Sequence, residues 1–253
     1  MKLKKMLFVF GICFLISCNK ENIKKEYYPN GKVRLQAEVN EKGIYNGLYQ
    51  EFYEDGAIKS STYYDNGIIV DTVFYYHKNG VIASKGFSQN YQPIGWWSHY
   101  DVNGNLQKKR EILKINDELF LNQEIKYDNN KNIDYSRSSF FKLNIKDTLF
   151  LGGSIGEIMY YPDTIGYNKR FIRIIVDNQY SDELIKKDTF GGYDDKNWFG
   201  IYNHRIGKKT ISGIIEQDLI YKRNHTFKDS SGYFIETRKK YFKKEVYIKD
   251  TIQ

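Results

Sequence analysis

The chain has 253 residues, which is enough for one large or two ordinary domains. Its formal net charge is +8, but residues 19–139 are neutral, with sixteen basic and sixteen acidic side chains. Residues 140–253 contain twenty basic and fifteen acidic residues, so the surplus lies in the second half. A basic strip there could meet an anionic surface, although lysines also protect exposed edge strands from pairing.

The first residues have the pattern of an export signal. Lys2, Lys4 and Lys5 precede an apolar run from Met6 to Ile16. This run is too short to span a bilayer as a helix, which needs about 20 residues. We therefore expect residues 1–17 to be a signal peptide that is removed during export. Because an exported chain rarely meets nucleic acid, we expect no nucleic-acid partner.

The end of that signal, Leu15-Ile16-Ser17-Cys18, resembles the lipobox of bacterial lipoproteins. The resemblance implies cleavage before Cys18, lipidation of that cysteine and attachment to the cell envelope, on its periplasmic or outer face. Residues 18–25 would then be a short tether, and Lys20-Glu21 resembles the export signal of Bacteroidetes surface lipoproteins. Since Cys13 leaves with the signal, no internal disulfide is expected.

A short phrase recurs in the first half: an aromatic residue, Asn-Gly or Asp-Gly starting three positions later, and an aliphatic residue two further on. The four turn glycines are spaced 25, 24 and 24 residues apart: Gly31, Gly56, Gly80 and Gly104. A fifth copy has Lys131 at the glycine position. Asn-Gly and Asp-Gly between strand-like runs predict type I′ hairpin turns, which need positive φ at both central residues.

Nine positions before each turn lies a second small or polar residue: Gly47, Asp71, Gly95 or Asn122. This fixed period predicts a continuous meander of hairpins. The phrases Tyr27–Val33, Gly47–Gly56 and Gly95–Gly104 resemble the MORN-type repeat, in a variant common among bacterial proteins labelled as antitoxins. The resemblance covers about residues 26–133, within a repeat region expected at 26–139. It implies an elongated, twisted sheet used for protein or lipid contact. The antitoxin label implies a cytoplasmic partner, which the export signal contradicts.

Tyrosine and tryptophan suit such a sheet, because each has an apolar body and a polar tip. The residues expected on an exposed aromatic face are Tyr28, Tyr53, Tyr64, Tyr75, Trp96 and Trp97. The alternative is that these rings only pack across strands and build the sheet.

From residue 140 to 253 the chain stays β-rich without repeating, which predicts a β-sandwich-like domain or a small barrel. The segment 113–126 is ambiguous between helix and strand. Strands are expected at 134–143, 148–151, 170–176, 198–202, 210–216, 219–222 and 233–248, and a long loop at 178–197. Residues 207–215 resemble a strand of Ig-like modules in Bacteroidetes lipoproteins.

The sequence carries little that indicates catalysis. Residues 152–156 match the Gly-x-Ser-x-Gly nucleophile elbow around Ser154, but no helix pattern follows, so a glycine-rich hairpin turn is the better interpretation. The four histidines, His77, His99, His204 and His225, are scattered, and no metal or cofactor is expected.

These patterns favour an all-β, membrane-anchored, non-catalytic binding or scaffold protein that contacts a protein partner through the repeats. One alternative is an antitoxin-like or immunity protein that neutralises a partner. Another is an enzyme acting on envelope polymers through a site in the C-terminal domain.

Overall fold

The computed structural model describes residues 22–162, 166–222 and 232–250. Cys18, the predicted signal and His225 lie outside these ranges. Every regular element in the described part of the chain is a β-strand, which confirms the all-β prediction. The described ranges contain no helix that is long and apolar enough to cross a membrane.

The first half forms a ten-stranded antiparallel meander. Successive strands pair with each other, except that β4 pairs with both the short β5 and β6. The strands are β1 (Asn22–Tyr27), β2 (Val33–Val39), β3 (Tyr45–Phe52), β4 (Ile58–Asp65), β5 (Ile68–Ile69), β6 (Val73–Tyr76), β7 (Ile82–Gln89), β8 (Gln92–Tyr100), β9 (Leu106–Ile115) and β10 (Glu118–Lys126).

Two sequence expectations change at the ends of this sheet. Residues 22–25, expected in the tether, belong to β1, where Asn22 lies opposite Val39. Three of these four side chains are polar and all four are exposed, which suits an edge strand because the hydrogen bonds are made by the backbone. The ambiguous segment 113–126 is also strand, formed by the end of β9 and by β10.

The repeated turns are hairpin turns, but the predicted type I′ geometry is wrong for them. At Gly31 the φ angle is 81°, whereas Asn30 is not among the residues with positive φ. The Gly31 N–H donates to the Tyr28 carbonyl at 2.9 Å, and the Tyr28 N–H donates to the Lys32 carbonyl at 2.8 Å. This is a three-residue loop with a single left-handed glycine, the G1-bulge form. It is favoured because Asn30 Oδ1 accepts the Lys32 N–H at 3.0 Å.

Two-residue turns with positive φ at both positions occur at the other end of the sheet. They are Asn66-Gly67, Asn90-Tyr91 and Asn116-Asp117. The flanking residues pair directly, as in Gln89 opposite Gln92. Their geometry is that of type I′ turns.

The second half forms an eight-stranded sheet of β11 (Phe140–Asn144), β12 (Thr148–Phe150), β13 (Gly152–Tyr161), β14 (Lys169–Gln179), β15 (Ile185–Gly192), β16 (Lys196–Asn203), β17 (Gly207–Lys222) and β18 (Tyr233–Lys249). Its order is β11-β13-β16-β14-β17-β18-β12, with β15 paired to β14. Because β12 at one edge leads directly into β13 near the other, the sheet curls around its core. Fully buried residues of that core include Ile158, Ile174, Phe199, Ile215 and Ile248.

Two expectations differ in this half. Residues 134–138 form a turn rather than the start of a strand, because Asp134 Oδ1 accepts the backbone N–H groups of Ser136 and Arg137, and Ser139 forms an isolated bridge with Glu124. The predicted loop 178–197 contains strand β15, which pairs with residues Ile172 to Gln179 of β14. Its polar composition hid it, since its side chains are largely exposed.

The two sheets meet where β10 contacts β11 and β18. The backbones of Glu124 and Ser139 exchange two hydrogen bonds of 2.9 and 2.8 Å. The Gln123 side chain accepts the Phe141 N–H at 2.9 Å. Lys240, which is 7% exposed, donates to the Asn122 carbonyl at 2.7 Å and to the Ser139 carbonyl at 3.1 Å.

Candidate binding face

One face of the meander carries a continuous row of side chains from strand to strand. Residues directly opposite each other in a sheet share a face, so the register identifies the row. From β3 to β9 it reads Glu51, Ser60, Tyr75, Ser84, His99 and Lys108. Small hydroxyl side chains therefore alternate with larger groups from β3 to β8, and Lys108 of β9 continues the row.

Aromatic rings cluster along this face. The rings of Tyr45, Tyr49 and Tyr64 lie within 5.2 to 5.4 Å of one another, centroid to centroid. Farther along, Tyr75 lies 6.0 Å from Trp97. The indole of Trp97 is only 5% exposed, and its Nε1 donates to the Phe87 carbonyl at 2.9 Å. Trp97 is thus part of the floor, while the 42% exposed Tyr75 is available for contact.

Two adjoining depressions of about 140 and 250 Å³ follow this row. We call them together the tyrosine groove. The smaller is lined by Tyr49, Glu51, Ser60, Thr62 and Tyr64 among others, and the larger by Ser84, Pro93, Trp97, His99 and Arg110 among others. Tyr75, Ser88 and Tyr91 line both.

Tyr91 has an unusual backbone conformation. Its φ is 63°, in the left-handed region, and its side chain is 74% exposed. A bulky residue in this region is a genuine outlier, and leaving the right-handed region costs about 1–2 kcal/mol. The equivalent position of the turn after β4 is Gly67, which adopts positive φ without that cost. The turn therefore holds an exposed aromatic ring over the groove at the expense of stability.

The floor of the groove contains one polar atom without a partner. Thr62 is 6% exposed, and its Oγ1 makes no hydrogen bond within the described structure. A buried hydroxyl left unsatisfied costs free energy, so it is normally paired with protein, water or ligand. The neighbouring Ser60 and Ser88 hydroxyls are partnered, donating to Glu51 Oε2 at 3.3 Å and to the Gln92 carbonyl at 3.0 Å.

The charged groups of the groove stand at its two ends. Glu51 Oε1 accepts from the Tyr49 hydroxyl at 3.0 Å, and burial together with Glu51 raises the pKa of Tyr49. At the opposite end, Arg110 is paired with Glu124 at 2.7 Å. Burial, reinforced by Lys108 and Arg110, lowers the pKa of His99, which favours its neutral form. Burial, then Tyr91, raises the pKa of Tyr64. The centre of the groove is consequently uncharged and rich in hydroxyl groups.

The predicted aromatic residues divide into three groups. Tyr64, Tyr75 and Trp97 lie in the tyrosine groove, but the expected exposure is wrong for Tyr64 and Trp97, which are buried in its floor. Trp96 directly precedes Trp97 in β8 and therefore points to the opposite face of the sheet. Tyr28 and Tyr53 lie at the turn end of the sheet.

Those turn-end tyrosines link successive repeats. The hydroxyls of Tyr28 and Tyr53 donate to the carbonyls of Phe52 and Tyr76, each at 2.7 Å. His77 Nε2 makes the equivalent bond to the Tyr100 carbonyl at 3.0 Å. Each bond joins a turn to the next one, 23 or 24 residues later, so these side chains hold neighbouring hairpins together.

Sequence patterns overlooked Tyr49, Thr62 and Tyr91 as groove residues. Tyr91 had a usable signal, since Asn90 precedes it between two strand-like runs and Asn favours left-handed turn positions. Thr62 had no such signal in the sequence, because the lack of a hydrogen-bond partner for its hydroxyl depends on neighbours from three strands.

The serine motif lies in strand β13 rather than in a turn. Ser154 pairs with Ile201 of β16, and its Oγ accepts from Asn203 Nδ2 at 3.1 Å. His204 contacts the Gln179 carbonyl and Asp182 instead. A nucleophile elbow needs a sharp strand-to-helix turn, whereas Ser154 lies within a strand that pairs with β16 on both sides of it. Within the described ranges, no three His, Cys, Asp or Glu side chains are grouped so that they could hold a metal ion.

No family model matches this chain, and a search of curated proteins finds no match either.

Proposed function

We propose that the protein is a membrane-anchored, non-catalytic binding module whose tyrosine groove contacts a partner. The observation that carries the proposal is the strained Tyr91, held exposed over two depressions that it shares with Tyr75. Backbone strain is concentrated at functional sites. A glycine at position 91 would relieve the strain and stabilise the turn, so the presence of tyrosine indicates a role for its ring. The unpartnered Thr62 hydroxyl in the floor offers a ligand a hydrogen bond.

The proposal places this groove outside the cytoplasm on an anchored chain. Its support is the lipobox-like Leu15-Ile16-Ser17-Cys18 after a basic and then apolar segment. Mass spectrometry of the mature N-terminus tests the anchor, with a lipid-modified Cys18 as the expected result. An unmodified residue at or near position 18 would refute it.

Replacing Tyr91 with glycine separates a binding role from a structural one. Tyr91→Gly should raise the free energy of unfolding by about 0.5–1 kcal/mol, because glycine relieves the left-handed strain. It should also remove an exposed ring from the groove and reduce partner recovery in a crosslinking pull-down from envelope preparations. A gain in stability together with unchanged recovery would contradict the binding role.

Asp117→Gly is the matched control. Asp117 has φ 66° at the corresponding position of the β9–β10 turn, and its side chain is 95% exposed. A smaller relief of strain is expected there, because aspartate tolerates the left-handed region better than tyrosine. No loss of partner recovery is expected, because Asp117 does not line the tyrosine groove.

A further inference from the structure

A second cavity lies on the opposite face of the meander, where it meets the curled sheet. Its volume is about 480 Å³, within the usual range for small-molecule sites. Strands β8, β9 and β10 line one side, and β11 and β18 line the other. The apolar part of its wall consists of Ile94, Leu113, Ile115, Phe141, Leu143 and Phe242.

The polar groups in the interior of this cavity are already engaged with protein. Glu111 Oε2 accepts from Asn122 Nδ2 at 2.6 Å and from Gln123 Nε2 at 2.7 Å. Gln123 Oε1 in turn accepts the Phe141 N–H. Two amide donors hold Glu111 Oε2, and the rest of the wall is largely apolar, which favours a hydrocarbon chain over a polar molecule.

Two lysines on the lining provide positive charge at the solvent side. Lys114 Nζ lies 3.0 Å from Asp117 Oδ1. Such an exposed ion pair contributes little to stability. Lys243 is exposed and makes no ion pair within the described part of the chain. An apolar body with an available ammonium at its rim is complementary to a chain that ends in an anionic group.

We propose that this cavity binds a single-chain amphiphile with a carboxylate head, such as a fatty acid. The alkyl chain lies against Leu113, Ile115 and Leu143, and the carboxylate faces Lys243. This site is separate from the tyrosine groove, because Ile94 and Leu113 point away from the face that carries Trp97 and Arg110. Its failure would leave the proposed function intact.

Calorimetric titration of the full chain with octanoate, decanoate and dodecanoate, each below its micellar concentration, tests the apolar wall. Each buried CH₂ contributes about 0.8 kcal/mol, so affinity should rise about fourfold per methylene until the cavity is full. Affinity that does not change with chain length would overturn the proposal.

The head group is tested with dodecanol, dodecylammonium and a charge variant. Dodecanoate should bind tighter than dodecanol, and dodecylammonium should bind weakest. Lys243→Gln should weaken dodecanoate about fivefold, as expected for a partly exposed ion pair, and leave dodecanol unchanged. Lys249→Gln, an exposed lysine of the same strand that does not line the cavity, is the matched control. Equal effects of the two variants would argue against a carboxylate at Lys243.

The variant Leu113→Trp tests where the alkyl chain of the ligand binds. The larger ring should fill the cavity and abolish binding of dodecanoate, while the urea midpoint shows that the variant is folded. Retained binding in a folded Leu113→Trp protein would place the alkyl chain elsewhere and refute this site.

Discussion

The carboxamide of Asn122 hydrogen-bonds both backbone groups of Tyr241, 119 residues later in the chain. Its Oδ1 accepts the Tyr241 N–H at 2.7 Å, and its Nδ2 donates to the Tyr241 carbonyl at 2.8 Å. Asn122 is fully buried and is the bulged residue of β10, since Leu121 and Gln123 oppose the consecutive residues Ile112 and Glu111. A bulge redirects one side chain out of the ladder, and here that side chain takes the place of a neighbouring strand at the junction of the two sheets.

Asn122→Ala should therefore destabilise the chain by about 2–3 kcal/mol. The substitution leaves the Tyr241 backbone groups buried without partners, and an unsatisfied buried group costs about 1–3 kcal/mol. Urea unfolding measures the change. Asn130→Ala, at an exposed turn position, should change stability by less than about 0.5 kcal/mol. Similar values for the two variants would mean that Asn122 does not hold the sheets together.

Lys131 keeps the turn geometry of the fifth repeat without the usual glycine. Its φ is 67°, and its N–H donates to the Asp128 carbonyl at 3.0 Å, as the Gly31 N–H does to Tyr28. Lys131→Gly should stabilise the protein by about 0.5–1 kcal/mol, because a non-glycine residue is strained there.

The reverse change checks that explanation. At Gly80 a Cβ would meet no atom within 4 Å, so Gly80→Lys introduces backbone strain without a clash. It should destabilise by a similar amount in thermal or urea unfolding. A neutral Gly80→Lys would show that the left-handed position costs little in these turns.

Gly86 lets Trp97 lie flat on the sheet. A Cβ at position 86 would be 2.4 Å from the indole ring, which is held by its bond to the Phe87 carbonyl. Gly86→Ala should cost about 1–3 kcal/mol by overpacking and should shift the tryptophan fluorescence. The control is Gly153→Ala, also in a strand, where a Cβ meets nothing within 4 Å. Comparable losses in the two variants would attribute the effect to the strand backbone instead.

The repeat period and the alternation within strands were enough to predict the hairpins. They placed Tyr64, Tyr75 and Trp97 on one exposed face, but the sheet buries Tyr64 and Trp97 and leaves only Tyr75 exposed. These patterns could not separate two-residue from three-residue turns at Asn30-Gly31, since both geometries accept Asn-Gly and the choice depends on which flanking residues pair.

Long-range features were beyond sequence patterns for a different reason. The repeat period identified Asn122 as the small or polar residue nine positions before the fifth turn. Its partner Tyr241, however, lies in a strand of the other sheet. Two side chains that meet only after both sheets have folded leave no local periodicity. The strained Tyr91 is similar, because its exposure over the groove depends on where β4, β6 and β8 run.

The last prediction concerns His99, whose folded-state pKa is lowered by burial and by Lys108 and Arg110 from a reference value of 6.5. A lowered pKa means that protons bind the unfolded chain more readily, so this histidine removes stability as pH falls from about 7 through its folded pKa. Carboxylates act at lower pH: the pKa of Asp134 is lowered to about 2 by Ser136 and Arg137, so its stabilisation is lost only below about pH 4. His99→Gln should therefore flatten the decline in the urea midpoint between about pH 7 and 5 and preserve the steeper loss in acid. NMR titration of the His99 ring protons measures its pKa directly, and a value at or above 6.5 would contradict the expected direction.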